Sequence, residues 1–330
     1  MGPIEALEAA TRSGTLPANE HLLVACSGGR DSMALCHALL RMGAWRLTVA
    51  TVDHGLRPNS GADADFVGRM AAAWGLPCER RSADVAAIRA GEGLEDGARR
   101  ERRRLLESAR VAAGADRVLL AHTADDQLET VLMRLAAGSG ASGLQGMRPV
   151  VGVFARPWLS VSRRAVAEYA VAEAVPFRED PSNAEPRFLR NRVRASVLPA
   201  FAAVFGDGGL GGASRTAALL AVETEALDAL LAPLLSRLEV PLPSDVPPVA
   251  ASIGLDVRRL RELEAPVRAV AIHRWVMQLY SRAGRAPPRT LHGRIARVDA
   301  AVVAGHGAAV GSRDGFTFRQ SGGRGVLELT

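Results

Sequence analysis

Hydrophobic and polar positions near the start of the chain predict a buried strand, a turn and a helix in direct succession. Residues 22–25 form an uninterrupted apolar run, which is typical of a strand covered on both faces. Apolar residues then recur at helical spacing from Met33 to Leu40, and Gly43 is suited to end that helix. The turn between the two elements consists of Ser27, Gly28, Gly29, Arg30, Asp31 and Ser32.

The alternation of strand and helix patterns continues along the first two thirds of the chain. Apolar runs predict strands at 47–52 and 116–121, and helical periodicity predicts helices at 60–75, 93–114 and 161–175. Strands that alternate with helices are typical of the α/β class. We therefore predict an open, mostly parallel sheet with helices on both of its faces.

The composition changes after residue 205, which suggests a second domain. Residues 206–212 are rich in glycine, as linkers often are. We predict a larger domain over 1–205 and a smaller, mostly helical and basic domain over 206–330. Alternating apolar residues near 316–318 and 326–329 predict short strands at its end.

The glycine-rich turn has the residues of an anion-binding loop. The first turn of a helix leaves N–H groups without partners and carries partial positive charge, so it suits phosphate. Glycines at 28 and 29 allow close approach of a ligand to the backbone. Asp31 fits a phosphate site when a cation such as Mg²⁺ bridges the two. The alternative is an ordinary strand-to-helix turn with an acid in the first helical turn.

The basic residues narrow the chemistry further. All 41 Lys and Arg residues are arginine, which excludes a Walker-type phosphate loop and a Schiff-base lysine. The net charge of +6 favours a polyanionic partner. The three cysteines have spacing that suggests neither a zinc site nor a disulfide framework. With no signal-peptide pattern and no long apolar run, we expect a cytoplasmic protein that does not enter a membrane.

Polar residues also follow the other predicted strands. Asp53 and His54 come after the second strand, and His122, Asp126 and Glu129 come after the third. The carboxyl ends of parallel strands share one edge of a sheet, so these residues are expected near the glycine-rich turn. The two acids after the third strand are three residues apart, which puts them on one helix face suited to Mg²⁺ or an ammonium group. The alternatives are a solvated Asp-His pair and simple helix capping.

Two arginine-rich segments are candidates for phosphate contacts. A predicted helix carries Arg99 and Arg102, and a later loop-rich segment carries Arg190 and Arg192. Guanidinium groups bind phosphate well, so these residues could face a nucleotide or an RNA backbone. The alternative for the helix is a solvated face laced with salt bridges.

Several sequence blocks resemble one known family. SGGRDS resembles the PP-loop of ATP pyrophosphatases. With VDHGLRPNS at 52–60, AHTADDQLETVLMRLAAGSGASGLQGM at 121–147 and DPSNAEPRFLRNRVRASVLP at 180–199, it resembles tRNA(Ile)-lysidine synthase. LEDGARRERRR is similar to the LE-x-x-AR-x-x-R segment of that family. Two positions depart from it: Thr123 stands where a second His is common, and Arg103 where an aromatic residue is common.

The resemblance implies a two-step ligation that uses ATP and Mg²⁺. ATP adenylates the carbonyl oxygen at position 2 of the wobble cytidine in isoleucine tRNA with a CAU anticodon. The ε-amine of free L-lysine then displaces AMP and gives lysidine. The resemblance is also compatible with a homodimer.

The resemblance assigns roles to the residues singled out above. Asp31 and Asp126 are the implied Mg²⁺ ligands; Asp126 and Glu129 are implied to hold lysine, metal or both; and His122 is implied to position the adenylate. The implied contacts to substrate phosphates are Arg99, Arg102, Arg190 and Arg192. The implied ATP contacts are Ser27, Gly28, Gly29, Arg30, Asp31, Ser32, Asp53 and His54.

Two other interpretations differ in testable ways. A tRNA thiolase with the same loop usually needs catalytic or cluster-binding cysteines, and the cysteines here lack suitable spacing. A catalytically silent RNA-binding protein with this fold would not need Asp31, Asp126 and Glu129. Release of pyrophosphate from ATP in the presence of tRNA and lysine separates the silent protein from an enzyme.

Overall fold

Alternate side chains of the first strand lie in two different hydrophobic cores. In the computed structural model, this strand spans His21–Ala25 and is buried throughout. Leu22 and Val24 belong to one core, whereas Leu23 and Ala25 belong to the other. Because side chains of a strand alternate between faces, the strand lies in a sheet covered on both sides. This confirms the prediction made from its apolar run.

The structure describes residues 1–53, 55, 60–83, 94–179, 189–242, 252–283, 291–310, 315–321 and 323–329. Contacts within the chain group residues 1–136 and 140–221 into a first compact unit, and residues 137–139 and 222–330 into a second. The division predicted at residue 205 stays a prediction.

The first unit is built on a six-stranded sheet. Its strands are β1 (His21–Ala25), β2 (Arg46–Asp53), β3 (Cys78–Ser82), β4 (Arg117–Leu119), β5 (Val150–Val151) and β6 (Phe154–Ala155). Their order is β3-β2-β1-β4-β6-β5, and every pair is parallel except β5 with β6. The predicted α/β class is confirmed. Strand β3 and the short β5–β6 hairpin were not predicted from the sequence.

Helices connect and cover these strands. They are α1 (Pro3–Arg12), α2 (Arg30–Met42), α3 (Ser60–Ala73), α4 (Leu94–Ala113), α5 (Ala124–Ala136), α6 (Ala141–Leu144), α7 (Arg163–Ala172) and α8 (Leu189–Arg192). Helix α2 ends at Gly43 in the left-handed conformation, as its position predicts. A π-helical turn, Val193–Val197, follows α8 and leads into α9 (Leu198–Leu238).

Helix α9 runs through the segment predicted to be a linker. Residues 207–212 are helical, so the glycine-rich composition does not produce a loop there. Gly206 alone has non-helical backbone angles, with φ of 60°. A glycine tolerates that left-handed conformation without a Cβ clash, which confines the break to one residue.

In its described residues, the second unit contains a five-stranded sheet and three further helices. The strands are β7 (Glu239–Val240), β8 (Ser252–Asp256), β9 (Ala308–Val310), β10 (Phe316–Ser321) and β11 (Arg324–Leu329), in the order β7-β8-β11-β10-β9 with antiparallel pairing. The helices are α10 (Val257–Glu262), α11 (Ala265–Arg282) and α12 (Leu291–Ala304). Trp275 and Tyr280 of α11 are buried in the core of this unit. No helix in the described ranges is long and apolar enough to cross a membrane.

Candidate active site

The glycine-rich turn closes on itself through its two serines. The Ser27 N–H donates to Ser32 Oγ at 3.2 Å, and the Ser32 hydroxyl donates to the Gly29 carbonyl at 2.9 Å. Gly28 adopts φ of +84°, a conformation that favours glycine. Helix α2 begins at Arg30 without a side-chain cap, so the N–H groups of its first turn are available to a ligand. This is the geometry expected of an anion-binding turn.

A cleft of about 550 Å³ opens beside this turn, between the carboxyl ends of β1 and β4. Its lining brings together eight residues that the sequence singled out: Ser27, Gly29, Arg30, Asp31, Ser32, Arg102, His122 and Asp126. Six predicted residues do not line it: Gly28, Asp53, Arg99, Glu129, Arg190 and Arg192. His54 lies outside the described residues.

Asp31 has weak partners for a partly buried acid. Its side chain is 26% exposed, and its nearest cations are Arg30 Nε at 3.5 Å and Arg163 Nε at 3.6 Å. Burial raises the pKa of Asp31 above its ordinary value, although both arginines oppose this. A carboxylate that is desolvated and loosely paired suits a cation ligand, so Asp31 fits Mg²⁺.

Asp126 is saturated by neighbouring donors. Its Oδ2 accepts from the Thr123 N–H at 2.9 Å and from the Thr123 hydroxyl at 3.0 Å, so it also serves to cap helix α5. Its Oδ1 accepts from Arg163 at 2.9 Å, Arg194 at 3.2 Å and Arg190 at 3.3 Å. Burial alone would raise the pKa of Asp126, but Arg163, together with the Thr123 N–H and Arg190, holds it below its ordinary value.

Glu129 differs from the prediction that both acids face the cleft. Its side chain is fully buried and lies outside the cleft lining. Arg190 Nε donates to one carboxylate oxygen at 2.7 Å, and Arg194 Nε donates to the other at 2.7 Å. Arg163 Nη1 lies 3.6 Å away. The three-residue spacing does place both acids on one side of α5, but that side is covered by arginines.

His122 is held in its neutral form. Burial lowers the pKa of His122 to about 3, with Arg156, Arg102 and Arg190 contributing against the opposing effect of Asp126. Its buried Nδ1 atom makes no hydrogen bond within the described part of the chain. A neutral imidazole with an unsatisfied buried nitrogen at a cleft is suited to bind a ligand rather than to carry charge.

The predicted phosphate-binding arginines fall into different surroundings. Arg102 lines the cleft, and burial together with nearby Arg99 lowers the pKa of its guanidinium. Arg190 is bonded to Asp126 and Glu129 of α5, whereas Arg192 is exposed to solvent. Contacts of all four with phosphate stay predictions.

Arg163 and Arg194 are among the cleft residues that were not predicted from the sequence. Arg194 lies in the π-helical turn four residues after Arg190, and that spacing within an arginine-rich segment was the available signal. Arg163 is the first residue of α7. A cation at the N-terminus of a helix is unfavourable because of the helix dipole, and this was the one local feature that could have indicated an acidic partner for Arg163.

Comparison with known proteins agrees with this geometry. A family model described as the PP-loop domain matches residues 5–201. The tRNA(Ile)-lysidine synthase of Salinispora tropica is 38% identical over 320 residues, which cover 93% of this chain and 91% of that protein. The tRNA(Ile)-lysidine synthase of Solibacter usitatus is 45% identical over 184 residues, which cover 54% of this chain and 40% of that protein. The chain thus spans less than half of the Solibacter relative and most of the Salinispora relative.

A solved structure supports the fold. The U34-tRNA thiolase NcsA from Methanococcus maripaludis, determined with its 4Fe-4S cluster, aligns with a TM-score of 0.56 at 16% identity, covering 66% of this chain and 78% of that one. The parallel sheet, the turn at 27–32 and the matched model define the class as a PP-loop domain. Within that class, the identity of the Salinispora relative and the share of both chains that it covers determine the family. The chain belongs to the tRNA(Ile)-lysidine synthase family.

Proposed function

We propose that this protein joins L-lysine to the wobble cytidine of isoleucine tRNA with a CAU anticodon, converting ATP to AMP and pyrophosphate. The observation that carries the proposal is the cleft in which the anion-binding turn faces His122 and Asp126. Family membership supplies the reaction, and the cleft supplies groups of the required chemistry. ATP as the substrate is supported by the match to the PP-loop domain.

The turn at 27–32 is proposed to hold the pyrophosphate portion of ATP. Its free N–H groups and the hydroxyl of Ser27 are proposed to donate to phosphate oxygens, and the N-terminus of α2 adds favourable potential. The guanidinium of Arg102, which also lines the cleft, supplies further positive charge. Neutral His122 is proposed to position the adenylated cytidine through its unsatisfied nitrogen.

Mg²⁺ is proposed to bind Asp31 and Asp126, and at Asp126 the ion would take the place of one of the arginine contacts. Both carboxylates line the cleft, and Asp126 is close enough to Asp31 to affect its pKa. Within the described residues no group of three acidic, histidine or cysteine side chains is arranged to hold a metal ion, so phosphate oxygens would complete the coordination. When bound, the ion would neutralise charge on the phosphates.

The lysine substrate carries cationic groups that need an acidic environment. Asp126 is the acid of α5 that reaches the cleft, and we propose that it faces the incoming amine. Glu129 is proposed to act through Arg190 and Arg194, since its oxygens are bonded to them rather than exposed. Arg99, Arg192 and basic residues of the second unit are proposed to contact tRNA phosphates. The cytoplasmic location and the homodimer stay predictions.

Cysteine-dependent chemistry is not supported by the site. Cys26 and Cys36 are buried, and Cys78 is only partly exposed. None of the three lines the cleft. The fold shared with a tRNA thiolase is therefore not accompanied by a cysteine at the candidate active site.

Mass spectrometry of tRNA digests tests the proposed function. The protein is incubated with ATP, Mg²⁺, isotopically labelled lysine and isoleucine tRNA with a CAU anticodon. Lysidine that carries the label, with one pyrophosphate released per lysidine, is the expected result. Transcripts with another anticodon serve as the control. Pyrophosphate release without a modified cytidine, or a thiolated nucleoside when a sulfur donor is added, would contradict the proposal.

A further inference from the structure

Arg163 occupies an electrostatically unfavourable position in its own helix. It is the first residue of α7, and the partial positive charge of a helix N-terminus repels cations. Ser162 already caps the helix by accepting from the Ala165 N–H at 3.1 Å, so capping does not require an arginine next to it. Interactions outside the helix must therefore offset the cost of this cation.

Those interactions connect the turn of the anion site to helix α5. The Arg163 guanidinium donates to Asp126 at 2.9 Å and lies 3.6 Å from Asp31 and 3.6 Å from Glu129. Its backbone N–H also donates to Asp125 at 2.7 Å. Burial alone would lower the pKa of Arg163, but the surrounding carboxylates raise it above the ordinary value. A single guanidinium thus contacts three of the acids that the sequence singled out.

A main-chain hydrogen bond joins the segment just before Arg163 to the start of α5. The Ala124 N–H, at the start of α5, donates to the Val161 carbonyl at 2.8 Å. The first turns of α5 and α7 are therefore joined by main-chain and side-chain bonds together. The planar fork of arginine offers five N–H donors in a fixed geometry, whereas lysine offers three on a flexible stem, so arginine holds several carboxylates in a more defined arrangement.

We propose that Arg163 is a positioning residue that fixes the PP-loop acid Asp31 relative to Asp126 and Glu129 of α5. The proposal rests on the proposed function, because the role given to Arg163 is to keep bound ATP aligned with the second reactant. The hydrogen bonds that shape the turn itself are made among Ser27, Gly29 and Ser32. Loss of Arg163 should therefore spare ATP binding and disturb the alignment needed for reaction.

The test compares Arg163→Gln and Arg163→Lys with wild type and with Arg164→Gln. Arg164 is the next residue of α7, is 69% exposed and pairs with Glu168 at 3.5 Å, so it is a matched control for the loss of one arginine. Pyrophosphate release and lysidine formation give kcat and KM. Equilibrium dialysis gives the Kd for ATP, and thermal unfolding verifies that each variant is folded.

The expected result for Arg163→Gln is a lower kcat with nearly unchanged ATP binding. A displacement of about 1 Å in a reacting group costs about 100-fold in rate, so a fall of that order is expected. The Kd for ATP is expected within about threefold of wild type, which corresponds to less than about 0.7 kcal/mol. Arg163→Lys should recover part of kcat, and Arg164→Gln should behave as wild type.

Different outcomes overturn different conclusions. If folded Arg163→Gln keeps wild-type kcat, or if its loss lies wholly in the Kd for ATP, Arg163 does not position the acids. If Arg163→Gln and Arg164→Gln lose activity equally, the effect is one of general charge and the proposal also fails. If the wild-type protein forms no lysidine in the same assay, the proposed function fails instead.

Discussion

Replacement of Glu129 by glutamine tests whether a buried carboxylate holds the arginines of the cleft in place. Glu129 accepts from Arg190 Nε at 2.7 Å, and from Arg194 Nε at 2.7 Å and Nη2 at 3.0 Å. The amide of glutamine keeps one acceptor oxygen but presents an NH₂ donor in place of the other. A guanidinium can only donate, so at least one hydrogen bond is replaced by two opposed donors.

The expected loss of stability follows from burial. Removing one partner of a buried ion pair costs about 3–5 kcal/mol, and a hydrogen bond to a charged group contributes about 1.5–3 kcal/mol. Glu129 is fully buried, but the side chains of Arg190 and Arg194 are 25% and 29% exposed, so water compensates part of the loss. We therefore expect Glu129→Gln to lower the free energy of unfolding by about 2–3 kcal/mol.

Urea unfolding of wild type and variant measures this difference. Glu168→Gln is the control, because Glu168 is 68% exposed and its pair with Arg164 is a surface pair. Such pairs contribute about 0–1 kcal/mol, so the control should stay close to wild type. A Glu129→Gln loss no larger than that of Glu168→Gln would refute the reasoning, since it would mean that the arginines do not depend on this carboxylate.

Kinetics of the same variant separate two roles for Glu129. If it acts through Arg190 and Arg194, Glu129→Gln slows pyrophosphate release and lysidine formation together. If it binds lysine directly, only lysidine formation slows, and the effect is reduced at high lysine. Single-turnover measurements that follow both products distinguish these results. An unchanged rate of pyrophosphate release would contradict the role proposed here.

Three further predictions concern other parts of the first unit. Asp31→Asn should reduce pyrophosphate release by at least about 100-fold while thermal unfolding stays near wild type, and near-normal turnover would exclude Asp31 as a metal ligand. Gly146→Ala should lower the free energy of unfolding by about 1–3 kcal/mol. The reason is that Gly146 has φ of +64° and that an added Cβ would lie 2.6 Å from Gln127 Oε1. Equal midpoints of urea unfolding for variant and wild type would contradict this. Burial and Arg41 lower the pKa of His37, so the unfolded state binds more protons as pH falls below about 6.5. The free energy of unfolding should then decline from pH 7 to 5, and the decline should be smaller in His37→Gln. If wild type and His37→Gln lose the same stability over this range, His37 does not contribute to the decline.

Local sequence patterns predicted the parts of the site that local interactions determine. The strand ending at Ala25, the turn and the helix that ends at Gly43 are each specified by neighbouring residues, and the structure confirms them. Helix capping was likewise a local alternative for the residues after the third predicted strand. The Thr123 hydroxyl oxygen accepts from the Asp126 N–H at 3.5 Å, and this cap exists together with the exposure of Asp126 to the cleft. Features of this kind depend on spacing of a few residues, which a sequence displays directly.

Features that depend on distant partners could not be predicted in this way. Strand β3 has the sequence CERRS, which lacks an apolar alternation, and it pairs only with β2 at the edge of the sheet. The burial of Glu129 depends on Arg190 and Arg194, which are more than sixty residues away in the chain. No local pattern distinguishes an acid that faces a cleft from one that is covered by arginines.

The use of arginine to neutralise the acids of α5 has a chemical consequence under the proposed function. Asp126 and Glu129 are balanced by Arg163, Arg190 and Arg194. Arginine stays protonated in proteins, so it can neutralise these acids without offering a nucleophilic nitrogen. A lysine at the same place would put a second amine beside an activated cytidine, in competition with the amine of the substrate. The absence of lysine from the whole chain removes that competition at this site, and it leaves substrate lysine as the amine that the cleft receives.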